Sequence, residues 1–230
     1  MELSQYGSLT AGVASEARAR FITRTYNHLF AAIVGFAAFE IALFKSGYAE
    51  IIARAMMGTS WLFVLGGFMV VSWIATHVSQ SARSLPAQYA ALAAYVVAQG
   101  LIFVPLLYVA DSVASGVISS AALVSFIGFA GLTGIAFYTR KDFSFLRGLL
   151  MWGGVGALAL IVAGVIFGFQ LGTFFSVGMV VFAGAAILYD TSNVIHHYPE
   201  DRYVGAALAL FASVALLFWY VLRIFLSSRD

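Results

Sequence analysis

Cysteine is absent from this sequence, and charged residues are scarce. The lack of cysteine excludes disulfides, thiolate metal sites and thiol nucleophiles. Only 10% of the 230 residues are charged, whereas 62% are hydrophobic and the mean hydropathy is +0.96. A chain of this composition has too little polar surface for a soluble globule, so its apolar runs must face lipid or one another. We therefore interpret it as an integral membrane protein whose first partner is the lipid bilayer.

Apolar runs suited to crossing a bilayer recur along the chain. A helical crossing takes about 20 predominantly apolar residues. Seven segments meet or approach this length, namely residues 28–44, 55–76, 84–110, 112–139, 148–169, 171–189 and 203–222. The sequence therefore predicts an all-α membrane protein with seven transmembrane helices. Residues 1–20 are rich in Ser, Ala and Gly and carry few large apolar side chains, so we predict a flexible cytoplasmic tail over residues 1–24 and a transmembrane domain over 25–230.

The orientation follows from the Lys and Arg residues in alternate loops, because cytoplasmic loops carry an excess of these residues. Basic residues on the predicted cytoplasmic side are Arg18, Arg20, Arg24, Arg83, Arg140, Lys141, Arg147 and Arg202. Those on the other side are Lys45, Arg54, Arg223 and Arg229. This asymmetry predicts a cytoplasmic N-terminus and, after seven crossings, an external C-terminus. We interpret the basic residues as topology signals and infer no nucleic-acid partner from them.

Two carboxylates lie inside apolar segments. Asp190 is placed at the polar exit of the sixth predicted span, with Thr191, Ser192 and Asn193 as possible local partners. A charge at the centre of a membrane helix costs about 2.5–3.5 kcal/mol on insertion scales, so such a carboxylate is a functional hypothesis and a proton-sensitive element. The alternative is an interfacial aspartate that reaches headgroup water. Glu40 is a second candidate, and its side chain could instead extend outward to the interface.

Motifs for metal binding and for enzyme catalysis are missing from the sequence. His196 and His197 are adjacent and point to different helix faces, so we predict no metal site there. Lys45 and Lys141 stand at span ends, which leaves no mid-span lysine for a retinal Schiff base. Intramembrane aspartyl proteolysis needs a second carboxylate and a GxGD motif, and serine chemistry needs a nucleophile motif such as GxSxG. We therefore predict that the protein is not an enzyme.

Several motifs, in a fixed order, resemble a known family. They are TRKDFSFL at 139–146, GFQLGTFFS at 168–176, ILYDTSNVIHHY at 187–198 and DRYVGAALALF at 201–211. Together they resemble the Bax inhibitor-1 family (transmembrane Bax inhibitor motif proteins), and within it the bacterial YccA-like branch. The resemblance extends from about Tyr26 to the end of the chain. It implies a seven-helix bundle in which the other six helices surround the last one.

The resemblance also implies site residues. Some family members have a pH-dependent calcium leak controlled by two aspartates, and the first of these corresponds to Asp190. The second would stand in LFASVALLF at 210–218, where this chain has Ser213. The basic residue that latches to the pair in such members has no clear match, and His77 and Arg83 are the nearest basic groups. A serine can donate a hydrogen bond to Asp190 but cannot share a proton as a second carboxylate does.

The YccA-like branch is associated with the membrane protease FtsH. The resemblance therefore implies a bacterial inner-membrane protein that modulates an FtsH-type protease. The alternative is a pH-sensitive calcium leak gated around Asp190, with Ca²⁺ as the transported ion near this carboxylate. We expect no cofactor. The sequence leaves the oligomeric state open, with a monomer as the expectation.

Overall fold

The computed structural model describes residues 2–82, 84–113 and 115–228, with side chains from residue 15 onward in those ranges. Its helices are α1 (Glu2–Lys45), α2 (Tyr48–Met57), α3 (Trp61–Ser81), α4 (Leu85–Val113), α5 (Val117–Thr139), α6 (Leu146–Phe167), α7 (Gly172–His196) and α8 (Tyr203–Ser227). No strand occurs in these ranges. All helices except α2 are long and apolar enough to cross a membrane, so the predicted all-α class with seven spans is confirmed.

The sequence did not predict α2. This short helix buries Ala49 and Ala53 against its neighbours and exposes Glu50 and Arg54, as expected for an amphipathic surface helix. The start predicted for the second span, residue 55, is wrong because it lies within α2. The chain leaves α2 after Met57, and α3 begins only at Trp61.

Helix α7 is longer than predicted at its C-terminal end. It continues to His196, six residues beyond Asp190, instead of ending at residue 189. The helix can continue because Thr191, Ser192 and Val194 are all buried in the bundle. Asp190 therefore lies inside a helix and not at the polar exit that the sequence predicted.

The starts of two other helices also differ from the prediction. The fourth span begins at Val117 and not at residue 112, because Gly116 adopts the left-handed conformation, with φ 85°, that separates α4 from α5. Helix α1 begins at Glu2, so most of the predicted flexible tail is helical and continuous with the first span. The functional boundary at residue 24 stays a prediction.

Helix α8 is the centre of the bundle. It packs against α1, α3, α4, α5 and α7. Within its most apolar stretch, 67% of the residues are buried, against 6% for α6. Gly205 permits close packing with α3, since a β carbon at this position would lie 2.8 Å from the Ser79 carbonyl oxygen. The resemblance implied six surrounding helices, but α6 contacts α3 and α7 and does not contact α8 in the described ranges.

Candidate functional site

Asp190 and Ser213 form a hydrogen-bonded pair between α7 and α8. The Ser213 hydroxyl donates to Asp190 Oδ2 over 2.6 Å. Ser213 is buried, and the short connection from His196 to Tyr203 makes the two helices antiparallel neighbours. At roughly 1.5 Å per residue, Asp190 is about 9 Å from the end of α7 and Ser213 about 15 Å from the start of α8. The pair therefore lies well inside the bundle.

Hydroxyl groups from several helices surround this pair. The Tyr26 hydroxyl of α1 faces the hydroxyls of Thr133 on α5 and Thr191 on α7 but forms no hydrogen bond of normal geometry with either. Tyr26 and Tyr95 of α4 both lie within range of the Asp190 charge. Buried hydroxyls without partners are uncommon, and they can bind water or a polar ligand.

The other residues predicted for the site do not join the pair. Asn193 accepts hydrogen bonds at its carbonyl oxygen from the backbone amides of His197 and Tyr198, which closes the end of α7. His77 is exposed and stacks on Trp73. Glu40 is buried elsewhere, on α1 beside α4. Arg83 lies outside the described residues.

The loop between α5 and α6 docks on the end of α7. The backbone amide of Phe143 donates to the Ser192 hydroxyl over 2.9 Å, and Asp142 lies 3.4 Å from the His197 ring nitrogen. The Ser144 backbone amide also donates to Asp142, and this hydrogen bond is the main reason that the pKa of the Asp142 carboxyl lies below its usual value. Ser192, which the sequence offered as a partner for Asp190, thus binds this loop instead.

The connection between α7 and α8 covers the same end of the bundle. We call it the arginine-rich end because it holds Arg18, Arg140, Arg147 and Arg202. Arg18 donates to the Tyr198 carbonyl over 2.7 Å, and Gln80 of α3 donates to the Tyr198 hydroxyl over 3.1 Å. Burial, with a contribution from the Asp190 charge, raises the pKa of Tyr198 to about 12. The neutral Tyr198 side chain is therefore held at this end by Gln80, within range of the Asp190 charge.

A cavity approaches the pair from the opposite end of the bundle. It has a volume of about 900 Å³ and is lined by parts of α3, α4, α6, α7 and α8. Its lining includes Ser213 at one end and Gln170 and Arg223 toward the other. Arg223 is about 15 Å from Ser213 along α8 at roughly 1.5 Å per residue. The cavity thus links Ser213 to that end of the bundle.

The pair offers a single carboxylate for a cation. Calcium takes 6–8 oxygen ligands in typical sites, usually from several carboxylates and carbonyls. Within the described ranges, no group of three or more His, Cys, Asp or Glu side chains is arranged to hold a metal ion. The arrangement is therefore suited to holding or exchanging a proton at Asp190 and not to tight cation binding.

Sequence reasoning predicted Asp190 and Ser213 but missed Tyr26, Tyr95 and Thr133. The three residues stand on separate helices, Tyr95 and Thr133 inside apolar runs and Tyr26 in the polar stretch RTYNH at 24–28. A polar residue inside an apolar run was the available signal for Tyr95 and Thr133. It does not reveal which helices meet, however, so the cluster appears only in the folded bundle.

Comparison with known proteins gives a family and several relatives. The family model described as "Inhibitor of apoptosis-promoting Bax1" matches residues 18–230. "Uncharacterized protein PA2604" of Pseudomonas aeruginosa is 38% identical over 112 residues, covering 47% of this chain and 49% of that protein. "Modulator of FtsH protease YccA" of Escherichia coli K12 is 38% identical over 94 residues, covering 40% and 42%. "Bax inhibitor 1" of Schizosaccharomyces pombe is 32% identical over 114 residues, covering 47% and 41%. Each alignment thus spans less than half of the relative's length.

Proposed function

This chain belongs to the Bax inhibitor-1 family, and we propose that it acts in the bacterial inner membrane as a modulator of an FtsH-type protease and so of membrane protein quality control. The observation that carries the proposal is the local similarity to the Escherichia coli protein named as a modulator of FtsH. No enzymatic step by this chain is part of the proposal, and we expect it to act as a monomer.

The length of α1 supports contact with a protease outside the bilayer. The helix has 44 residues, which at roughly 1.5 Å per residue gives a length of about 66 Å. A bilayer measures about 40–45 Å with its headgroups, so roughly 20 Å of the helix projects beyond it. Residues 2–14 of the sequence include few large apolar side chains, so the projecting part is the N-terminal part. A membrane-anchored protease could bind a segment in this position.

The site favours a regulatory function and not ion conduction. Asp190 faces a serine hydroxyl and not a second carboxylate. A proton switch made of two interacting carboxylates titrates as a coupled pair, and that coupling needs both groups. The Tyr198 side chain, which Gln80 holds at the arginine-rich end, also lies within range of the Asp190 charge, and this favours a closed bundle at that end.

The test of this proposal is the lifetime of the protein in cells that contain an FtsH-type protease. Deleting residues 2–16 should prolong the lifetime, because the projecting segment is removed, and insertion should be unchanged. A matched control replaces residues 2–16 with a Gly/Ser linker of the same length, which separates the effect of sequence from that of length. Overproducing the full chain should also slow degradation of another substrate of the protease. Equal turnover of full-length and deleted chains, with no effect on that substrate, would contradict the proposal.

A second candidate function is a pH-sensitive calcium leak gated around Asp190. The 900 Å³ cavity favours it, because a space of this volume could hold many waters at about 30 Å³ each and reaches the partner of Asp190. In this function Ca²⁺ is the transported ion and not a resident cofactor. Calcium flux into liposomes separates the two functions, since a modulator needs none.

A further inference from the structure

A second cavity opens on the side of the bundle that faces lipid. It has a volume of about 500 Å³ and lies between α1, α5 and α8, with one residue of α4. Phe30, Ile41 and Phe126 line it and are also exposed on the outer surface of the bundle. An exposed apolar rim on a transmembrane helix faces acyl chains, so the cavity can be entered sideways from the bilayer.

Glu40 is the one charged side chain among the described residues that line this cavity. It is only 6% exposed, and neither of its carboxylate oxygens has a hydrogen-bond partner in the described part of the chain. One oxygen lies against α4, 3.4 Å from the position of a β carbon built on Gly100. The side chain therefore stays inside the bundle and does not extend to the interface.

An unpaired carboxylate in this position is costly. A charged residue at the centre of a membrane helix costs about 2.5–3.5 kcal/mol on insertion scales. A buried charge is stabilised by a cation that also donates hydrogen bonds to it. No basic residue lines the cavity among the described residues, so the Glu40 carboxyl is either protonated or paired with a cation from outside the chain.

The dimensions of the cavity suit one extended chain. Both Tyr26 and Glu40 line it, and they are separated on α1 by about 21 Å at roughly 1.5 Å per residue. One leaflet of the hydrocarbon core is about 15 Å thick, half of the usual 30 Å. Apart from Glu40, the lining is almost entirely apolar between these two residues. A single apolar chain of leaflet length therefore fits along the cavity.

We propose that this cavity binds a membrane-soluble amphiphile with one apolar chain and an ammonium head. The Glu40 carboxylate turns from Gly100 into the cavity and forms an ion pair with the head, and the chain lies along α1 toward Tyr26. Charge complementarity selects the ammonium head, and the length and apolar lining of the cavity select the single chain. The site is separate from the Asp190–Ser213 pair and does not depend on the function proposed above.

Equilibrium binding of radiolabelled hexadecylamine to the full-length protein in phosphatidylcholine nanodiscs tests the proposal, with empty nanodiscs subtracted. We expect saturable binding of one molecule per protein at neutral pH. Glu40→Gln preserves the shape and removes the charge, and should weaken binding by roughly 10-fold or more. Ala122→Phe fills the cavity away from Glu40 and should weaken binding similarly. The matched control is Glu50→Gln on α2, which removes an exposed carboxylate paired with Arg54 and should leave binding unchanged.

Hexadecanol serves as the neutral competitor and should displace the amine roughly 10-fold less well than unlabelled hexadecylamine. Unsaturable binding, or equal binding to wild type and Glu40→Gln, would overturn the proposal. Equal competition by the alcohol would show a neutral ligand and would overturn it too. Retained helicity and monodispersity establish that each variant is folded. If Ala122→Phe does not fold, the isosteric Glu40→Gln decides the question alone.

Discussion

Replacing Ser213 with alanine should destabilise the bundle by an amount that the Asp190 contact sets. The substitution removes the donor that lies 2.6 Å from Asp190 Oδ2 and leaves a buried acceptor without its partner. Hydrogen bonds to charged groups contribute about 1.5–3 kcal/mol, and we expect the free energy of unfolding to fall by this amount. Reversible unfolding of the purified protein in mixed micelles with increasing SDS, followed by circular dichroism, measures the loss.

A buried serine on α5 provides the matched control. Ser125 donates to the Ala121 carbonyl of its own helix over 2.7 Å, so Ser125→Ala removes the same atoms without affecting a carboxylate. It should cost under about 1 kcal/mol. In an Asp190→Asn background, Ser213→Ala should cost only about 0.5–1.5 kcal/mol, because the acceptor is neutral. Two results together would refute the assigned role of the pair. They are equal losses for Ser213→Ala and Ser125→Ala, and a loss for Ser213→Ala that is the same in the Asp190→Asn background as in wild type.

Three further outcomes follow from the same structure. Purified wild-type protein in liposomes should show little calcium flux between about pH 6 and 8, whereas Ser213→Asp should make any flux steeply pH-dependent through two coupled carboxylates. A robust wild-type flux that disappears in Asp190→Asn would instead establish the leak. The pKa of Asp142 is lowered, so its contribution to holding the α5–α6 loop is present above its usual value of 3.8 and is lost as the pH falls toward the lowered value. The protection factor of the Ser144 amide, its exchange rate compared with that of an unstructured peptide at the same pH, should fall in that range for wild type and should be low at all pH values in Asp142→Asn. A protection factor that neither change affects would contradict this. Reporters active in the cytoplasm at the N-terminus and in the periplasm at the C-terminus should both give signal, and reporters on one side would show an even number of crossings.

The spans and the central pair could be predicted because each has a signal along the chain. Apolar length identifies seven spans without knowledge of their packing. The family resemblance predicted that Asp190 and Ser213 lie together, and they form a hydrogen bond in the structure. Their functional role stays a prediction.

Features that depend on packing could not be predicted in this way. The end of α7 was misplaced because Thr191 and Ser192 are polar in sequence, yet burial against neighbouring helices lets the helix continue. For the same reason, the sequence could not decide whether the Glu40 side chain stays inside the bundle or extends to the interface. Only the approach of α1 to α4 at Gly100 decides that its carboxylate stays inside the bundle.

The peripheral position of α6 has a mechanical consequence. Among the described helices, α6 contacts only α3 and α7, and the large cavity lies between it and α8. A shift of α6 in the membrane plane would therefore change the volume of that cavity before it changed the contacts of α8. We expect bilayer thickness and tension to alter the surroundings of Ser213 in this way, through a helix that has no part in the pair itself.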